Sequence, residues 1–263
     1  MGTGLRGYRW MLGTLMACAL ALALPLQAAD VGHYVLGDTA AKTPGKVQPG
    51  LLLMGGGDRN HEALRWFMRH AGNGHIVVLR ASLGGEIGEE FFNEIGGIQS
   101  VETFVFNDRE AASDPKIIAA LEHADGIFLA GGDQSRYVRF WRGTPVGAAL
   151  DAHVKAGKPL GGTSAGLAMQ GEYLYGAMDG GSQVSPNALA DPLGPNNTIE
   201  TDFMHFDLLK GIVTDTHFSE RNRLGRLIAF VAKAETMAGH PLIGLGVDED
   251  AAVAVEGDGT GHV

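Results

Sequence analysis

The sequence predicts an α/β fold in which a mostly parallel sheet is covered by helices on both faces. Short apolar runs alternate with longer segments whose apolar residues recur at helical spacing. Three of these runs end in glycine-rich turns, at residues 55–57, 131–133 and 161–164. Such alternation is typical of parallel sheets with both faces buried, and ligands of these folds bind at the carboxyl ends of the strands.

The first two thirds of the chain after residue 30 are predicted to start with an irregular segment and then to alternate between strands and helices. Residues 30–49 are mixed and polar, and we expect a loosely held entry segment there. Asp114 and Pro115 fit the cap and first position of a helix, and Pro145 predicts a break in another. Apolar runs with their turns predict strands within 51–58, 75–82, 101–106, 126–134 and 158–166. Helical spacing predicts helices within 59–72, 87–98, 114–124 and 135–157.

The last third of the chain is less regular. Residues 171–202 are rich in Gly, Pro, Asn and Ser, and a loop of this length inside a compact domain is typically functional or disordered. The segment 207–218 predicts a lead-in and a strand, and 219–234 predicts a helix that starts at Ser219. Residues 242–259 predict two strands around an acidic turn.

Composition and the N-terminal segment indicate class and location. The chain has 263 residues, a formal net charge of -10 and no basic run, which argues against nucleic acid as a partner. Residues 1–28 combine Arg6 and Arg9 with an apolar stretch and a small-residue end, as a cleavable signal peptide does. We therefore expect a secreted or periplasmic protein with one domain over 29–263 and no membrane attachment after cleavage. Cys18 is the only cysteine, so the mature chain would hold no disulfide.

One serine has the surroundings of a nucleophile. Ser164 lies in a G-x-S-x-G pattern with Gly162 and Gly166, after an apolar strand and before a helix-compatible segment. This pattern is typical of a sharp strand-to-helix turn that exposes a hydroxyl. The N–H of the next residue, Ala165, would then face a developing oxyanion. Because the chain is rich in glycine, a small polar residue in an ordinary turn is the competing interpretation.

A nucleophilic serine needs a base and a group that orients the base. His217 stands at the end of an apolar run, directly before a predicted helix start. Glu249 lies in the acidic turn between the last two predicted strands, which we place at the same edge of the sheet. Taken singly, an isolated histidine is more often structural, and an acidic turn is more often only solvated.

Four separated segments occur in the order "LAGGDQSRY", "GGTSAGLAM", "DTHFSERNRLGRL" and "GLGVDEDAAV". In this order they resemble the cyanophycinase and aspartyl dipeptidase family of serine peptidases, family S51, in its exported branch, and the resemblance extends over about residues 51–255. It implies a three-layer α/β/α sandwich of the class I glutamine amidotransferase-like, or flavodoxin-like, type. It implies Ser164 as nucleophile, His217 as general base and Glu249 as the acid that orients the base. The further residues that it implies are the oxyanion donors Gly132 and Ala165 and the substrate contacts Gln134, Asp215, Arg221, Arg223 and Arg226.

The resemblance also implies a substrate class. The chain would be a serine-type exopeptidase, or omega-peptidase, that hydrolyses aspartyl peptides or cyanophycin to β-Asp-Arg dipeptides without a metal or other cofactor. Arg223 and Arg226, spaced i and i+3, would share a face and suit bidentate binding of carboxylates. Thr216 stands where cyanophycinases commonly carry glutamine, which leaves the true substrate open. The resemblance further implies a homodimer, and a chain that is truncated or ends at an incompletely covered sheet edge.

Two other functions remain open on the sequence. An α/β-hydrolase esterase shares the G-x-S-x-G pattern, but its triad runs serine, acid, histidine, so His240 or His262 would have to serve as base. A non-catalytic exported binding module on the same scaffold is the second, although all three candidate catalytic residues are present. A glutamine amidotransferase is set aside because serine stands where that class needs cysteine.

Overall fold

The computed structural model describes residues 1–2, 31–41, 45–81 and 87–263. Apart from its first two residues, the signal peptide predicted over residues 1–28 lies outside these ranges, as does its cysteine. Within the described ranges, no helix has the length and apolar character needed to cross a membrane.

Two sheets form the framework of the described residues. The strands are β1 (Val31–Gly37), β2 (Gly50–Met54), β3 (His75–Arg80), β4 (Ser100–Phe106), β5 (Gly126–Leu129), β6 (Leu160–Thr163), β7 (Tyr173–Tyr175), β8 (Ile199–Glu200), β9 (Ile212–Asp215), β10 (Ile243–Gly246), β11 (Ala252–Glu256) and β12 (Gly261–His262). The main sheet has the order β1-β4-β3-β5-β6-β2-β11-β12; the strands from β4 to β2 are parallel, and the others are added antiparallel. The second sheet has the order β10-β9-β7-β8, in which β8 alone is antiparallel.

Helices connect and cover these strands. The α-helices of the described residues are α1 (His61–His70), α2 (Pro115–His123), α3 (Gln134–Trp141), α4 (Pro145–Lys155), α5 (Ala165–Ala168), α6 (Ser185–Ala190) and α7 (Leu224–Ala238). Short 3-10 turns occur at Glu110–Ser113 and Asp207–Leu209.

Successive residues of the central strands face two different cores. Leu51 and Leu53 of β2 pack with residues of α2, α3 and α4, whereas Leu52 and Met54 pack with residues of α1. All four side chains are fully buried. The main sheet is therefore the middle layer of an α/β/α sandwich, which confirms the predicted fold class. Burial of both faces explains why these strands appear in the sequence as continuous apolar runs.

Two helix starts agree with the capping signals in the sequence. Asp114 accepts a hydrogen bond from the N–H of Lys116, and Pro115 is the first residue of α2. The break predicted near Pro145 separates α3 from α4, because Thr144 caps α4 and the proline occupies its first position. Proline fits there because the first N–H of a helix has no partner within the helix.

The entry segment differs from the expectation of a loosely held stretch. Residues 31–37 form β1, which pairs with β4 along its whole length. His33 Nε2 lies 2.7 Å from Glu102 Oε1, and the histidine ring stacks on Phe104 at 4.6 Å. Because β1 is an edge strand with several exposed residues, it lacks the continuous apolar run that marks a buried strand.

Other segments differ in the type of element. Residues 87–98, predicted to be α-helical, contain a π-helix at Glu90–Ile95. The stretch 171–202, predicted to be irregular, contains β7, α6 and β8. These short elements, of two to six residues, carry too few apolar positions to show a period.

The helix predicted to start at Ser219 begins five residues later, at Leu224. Asn222 has a φ of 49°, which a continuous helix does not accommodate. The N–H of Ser219 donates to the Asp248 carboxylate at 2.8 Å, so the intervening residues form a turn that is tied to the acidic turn before β11.

Candidate active site

Ser164 occupies the sharp turn between β6 and α5. Its backbone has φ 53° and ψ -118°, a combination that few residues other than glycine adopt. Close packing explains the glycines around it. A Cβ on Gly162 would lie 2.4 Å from the carbonyl oxygen of Gly166, and a Cβ on Gly166 would lie 2.0 Å from that of Leu129. The G-x-S-x-G pattern is therefore a packing requirement of this turn.

A histidine lies directly beside the serine hydroxyl. Ser164 Oγ is 2.7 Å from His217 Nε2. His217 is buried, follows β9 of the second sheet, and has a φ of 46°. Its N–H donates to the carbonyl of Gly55 at 2.9 Å, which fixes the end of the second sheet against the turn after β2 of the main sheet.

The other ring nitrogen of His217, Nδ1, hydrogen-bonds to Oε1 of Glu249. Glu249 lies in the turn that joins β10 of the second sheet to β11 of the main sheet. Two contacts fix this turn against the segment after the histidine. The N–H of Glu249 donates to the Glu220 carboxylate at 3.1 Å, and the N–H of Ser219 donates to the Asp248 carboxylate at 2.8 Å.

The first glycine turn, residues 55–57, packs against the ring of His217. A Cβ on Gly56, whose φ is 116°, would lie 2.2 Å from Cε1 and 2.5 Å from Nε2 of His217. A Cβ on Gly57 would lie 2.9 Å from the Cβ of Glu249. Glycines allow another group to approach closely at all three turns, but the sequence does not indicate whether a ligand or another part of the protein packs on each turn.

Ser164 lies in the wall of a cleft of about 170 Å³. The predicted oxyanion residue Gly132 also lines this cleft and has a φ of 150°. Its neighbour Gly131 packs on the serine, since a Cβ there would lie 3.4 Å from the Ser164 Cβ. Ala165 is the first residue of α5, where backbone N–H groups lack a partner within the helix. Both predicted oxyanion donors are therefore close to the serine.

Three of the predicted substrate contacts, Gln134, Arg221 and Arg223, line the cleft together with Thr216. Arg223 is buried and donates to the carbonyl oxygen of Thr216 at 2.8 Å and to its Oγ1 at 3.2 Å. Arg221 is half exposed, and its Nε lies 3.8 Å from Oε1 of Glu249. The cleft thus carries two guanidinium groups close to the serine and the histidine.

The other two predicted contacts, Asp215 and Arg226, lie behind the cleft and bind each other. Arg226 donates from Nε to Oδ2 at 2.8 Å and from Nη2 to Oδ1 at 2.5 Å. Both residues are only 2% exposed, and neither is among the described residues that line the cleft. This differs from the predicted direct contact with substrate, because the pair instead supports the cleft wall from behind.

The alternative bases proposed for an esterase lie elsewhere. His240 is exposed and hydrogen-bonds to the carbonyl of Pro241 at 3.0 Å, and His262 is exposed in the edge strand β12. The serine is paired with His217, which precedes Glu249 in the chain. The order serine, histidine, acid is not that of the α/β-hydrolases.

The arrangement has the geometry of a nucleophile, a base and an orienting carboxylate. A carboxylate at Nδ1 keeps the proton on that nitrogen, so Nε2 can accept one from the serine hydroxyl. The sequence profile of Peptidase family S51 matches residues 89–263, more than half of the chain. The chain belongs to peptidase family S51.

Curated relatives and a solved structure agree with S51 membership. The chain is 33% identical over 235 residues to the cyanophycinase of Trichormus variabilis, covering 83% of this chain and 71% of that protein. It is 32% identical over 226 residues to the cyanophycinase of Synechococcus elongatus, covering 80% and 63%. The crystal structure of a peptidase from an acI-B1 Actinobacterium matches with a TM-score of 0.53 at 17% identity, covering 81% and 85%, which shows a shared fold.

We expect this S51 chain to keep its activity at lower pH than an ordinary histidine would allow. Burial lowers the pKa of His217 from its usual value of 6.5, and the charges of Arg221 and Arg223 lower it further, while the hydrogen bond to Glu249 opposes both. The neutral imidazole is the form that accepts the serine proton, so activity is lost as pH falls through this pKa.

The measurement is kcat/KM between about pH 4 and 8, where the curve should be flat through neutral pH and its acid midpoint should lie below 6.5. Arg221→Gln, which removes one of the cations, should move that midpoint upward. A midpoint above the ordinary histidine value in the unmodified protein would contradict the prediction.

Proposed function

We propose that the chain is an exported serine-type peptidase that hydrolyses aspartyl peptide bonds through an acyl-enzyme, with cyanophycin as the first substrate to test. The observation that carries the proposal is the chain of hydrogen bonds from Ser164 through His217 to Glu249. Membership of family S51 and the cyanophycinases among the relatives support the substrate class. Export rests on the signal peptide predicted over residues 1–28.

Acylation begins when His217 Nε2 takes the hydroxyl proton while Ser164 Oγ attacks the carbonyl carbon of the peptide. Glu249 holds the proton on Nδ1 and stabilises the imidazolium that forms. The N–H groups of Gly132 and Ala165 stabilise the oxyanion. His217 then gives its proton to the leaving amine as the C–N bond breaks. Water then loses a proton to the same histidine and attacks the ester carbonyl; as the C–O bond to Ser164 breaks, His217 returns that proton to Oγ and the free acid leaves.

The charges beside the cleft favour a substrate with a free carboxylate. Asp215 is bound bidentately by Arg226, and its Oδ1 also lies 3.7 Å from Nη1 of Arg223. The groups within hydrogen-bond distance of Arg223 are the neutral residues Thr216 and Ser182. Burial and the neighbouring Arg226 lower the pKa of Arg223 to about 10, so it stays protonated at neutral pH. A cation that is only partly compensated at a cleft wall suits a carboxylate, which an aspartyl peptide provides.

The direct test incubates the purified protein with cyanophycin granules and, separately, with α-aspartyl and β-aspartyl dipeptides. Release of soluble dipeptide from the granules supports the proposal in full. Cleavage of the short peptides alone supports the peptidase function and excludes cyanophycin as a substrate. A Thr216→Gln variant then tests whether residue 216 decides between the short peptides and the polymer. The proposal fails if no aspartyl substrate is cleaved and a fluorophosphonate reagent does not label Ser164.

Replacing Glu249 by glutamine is expected to lower kcat by about 10²- to 10⁴-fold with little change in KM. The amide cannot stabilise the imidazolium by charge, and its NH₂ group competes for Nδ1 and favours the wrong tautomer. The matched control is Glu220→Gln, which keeps an acceptor for the Glu249 N–H and should cost less than tenfold. An unchanged kcat in Glu249→Gln would remove this residue from the mechanism.

A further inference from the structure

The loop of residues 176–184, here called the cleft loop, forms one wall of the cleft. Ala177, Gly181 and Ser182 of this loop line the cleft beside Ser164. A Cβ added at Gly180 or Gly181 would meet nothing within 4 Å. The tip of the cleft loop therefore has little packing of its own, and its position depends on the groups that bond to it.

One of these groups is the hydroxyl of Tyr175, the last residue of β7. It accepts a hydrogen bond from the N–H of Gln183 at 3.0 Å, and it donates toward the Asp179 carboxylate at 3.4 Å or the Gly181 carbonyl at 3.3 Å. Burial raises the pKa of Tyr175, so the hydroxyl keeps its proton at neutral pH. A single buried hydroxyl thus contacts three positions of the cleft loop.

Two neighbours on α7, Phe230 and Arg226, contact the ring that carries this hydroxyl. It stacks on Phe230 of α7 at 4.6 Å with an interplanar angle of 14°, and the guanidinium of Arg226 lies 5.5 Å from its centroid. The carbonyl of Tyr175 accepts a hydrogen bond from Nε2 of Gln134, which also lines the cleft. Tyr175 therefore contacts the cleft loop through its side chain and Gln134 through its backbone.

The cleft loop in turn contacts the arginines behind and beside the cleft. Ser182 Oγ lies 3.4 Å from Nη2 of Arg223 and 3.3 Å from Nη1 of Arg226. The carbonyl of Gln183 accepts from the same Nη1 of Arg226 at 3.0 Å. Displacement of the loop tip would remove these acceptors from the two guanidinium groups.

We propose that Tyr175 is a positioning residue for substrate binding, whose hydroxyl fixes the cleft loop and thereby the guanidinium of Arg223. It does not touch Ser164 or His217, so it would affect how substrate is held rather than how the serine is activated. This inference rests on the proposed peptidase function, because it assigns Tyr175 a role in that same cleft.

The test compares Tyr175→Phe with Tyr173→Phe. The first variant keeps the ring stacked on Phe230 and removes only the hydroxyl. The second removes a hydroxyl two residues earlier in the same strand. Four quantities are measured in each protein: KM and kcat on the best aspartyl substrate, the rate of Ser164 labelling by a small uncharged fluorophosphonate, and hydrogen exchange of the amides of residues 179–183.

We expect Tyr175→Phe to raise KM about fivefold to tenfold, to leave kcat within about twofold, and to speed amide exchange in the cleft loop, most of all at Gln183. Labelling of Ser164 should be unchanged, and Tyr173→Phe should match the unmodified protein throughout. Unchanged exchange in the cleft loop would overturn the inference. So would a fall in serine labelling equal to the fall in hydrolysis, because Tyr175 would then act on the nucleophile or on the whole fold.

Failure of the proposed function gives a different pattern. If Ser164 of the unmodified protein is not labelled and no aspartyl substrate is hydrolysed, both the peptidase function and the role of Tyr175 in substrate binding are wrong. The exchange measurement still decides whether the hydroxyl fixes the cleft loop, because it requires no substrate.

Discussion

Replacing Ser164 by alanine is expected to abolish hydrolysis and leave the fold in place. The substitution removes the atom that attacks the carbonyl carbon, and serine hydrolases that lose their nucleophile lose on the order of 10⁴- to 10⁶-fold in kcat. The Cβ and the turn are kept, and the lost hydrogen bond is the one to His217 Nε2 at the cleft. We therefore expect the free energy of unfolding to change by less than about 1.5 kcal/mol.

The measurement pairs substrate turnover with thermal unfolding followed by circular dichroism. The matched control is Ser113→Ala, an exposed serine at the end of a 3-10 turn, which should keep full activity. Turnover by Ser164→Ala at the unmodified rate would exclude the acyl-enzyme mechanism. An unfolded variant would instead mean that the turn needs the hydroxyl for stability.

Replacing Gly56 by alanine is expected to lower kcat by about 10²-fold, although Gly56 is not one of the proposed catalytic residues. The added methyl group would lie 2.2 Å from Cε1 of His217, so the ring must move away from the serine. A displacement of about 1 Å at a catalytic group costs on the order of 10²-fold in rate. The φ of 116° adds backbone strain, because residues with a side chain rarely adopt it.

A Gly157→Ala variant separates the effect of the contact with the histidine ring from the effect of backbone strain. Gly157 also has a positive φ, 74°, but a Cβ there would meet nothing within 4 Å. It should lose some stability and keep its kcat, whereas Gly56→Ala should lose kcat well beyond its loss of stability. Equal kcat in the two variants would show that the contact with the histidine ring is unimportant.

The parts of the fold that the sequence predicts well are those whose residues are buried on both faces. Strands such as β2 and β3 contain an uninterrupted apolar run, so a pattern search finds them. The edge strand β1 is partly exposed, and its pairing with β4 depends on contacts between residues about 70 positions apart, such as His33 and Glu102. Periodicity within a short stretch of sequence does not indicate such long-range contacts.

The residues of the candidate site also differ in how well the sequence predicts their positions. Ser164 is recognisable because its turn imposes glycines at fixed positions, and His217 and Glu249 are recognisable because each lies shortly after an apolar strand. The pairing of Arg226 with Asp215 is not recognisable, because helical spacing is equally compatible with an arginine that lines the cleft and with one that binds a buried carboxylate. Only the three-dimensional arrangement shows that this guanidinium is already occupied by a buried carboxylate.

The hydrogen-bond chain that starts at Ser164 crosses the junction of the two sheets. The serine belongs to the main sheet, His217 to the end of the second sheet, and Glu249 to the turn that joins them. A chain in which only the main sheet has folded therefore has a serine without its proposed base. Ser164 and His217 are 53 positions apart in the chain, and His217 and Glu249 are 32 apart, so these contacts require distant segments to come together. Under the proposed mechanism, the serine is therefore activated only after both sheets have formed and joined.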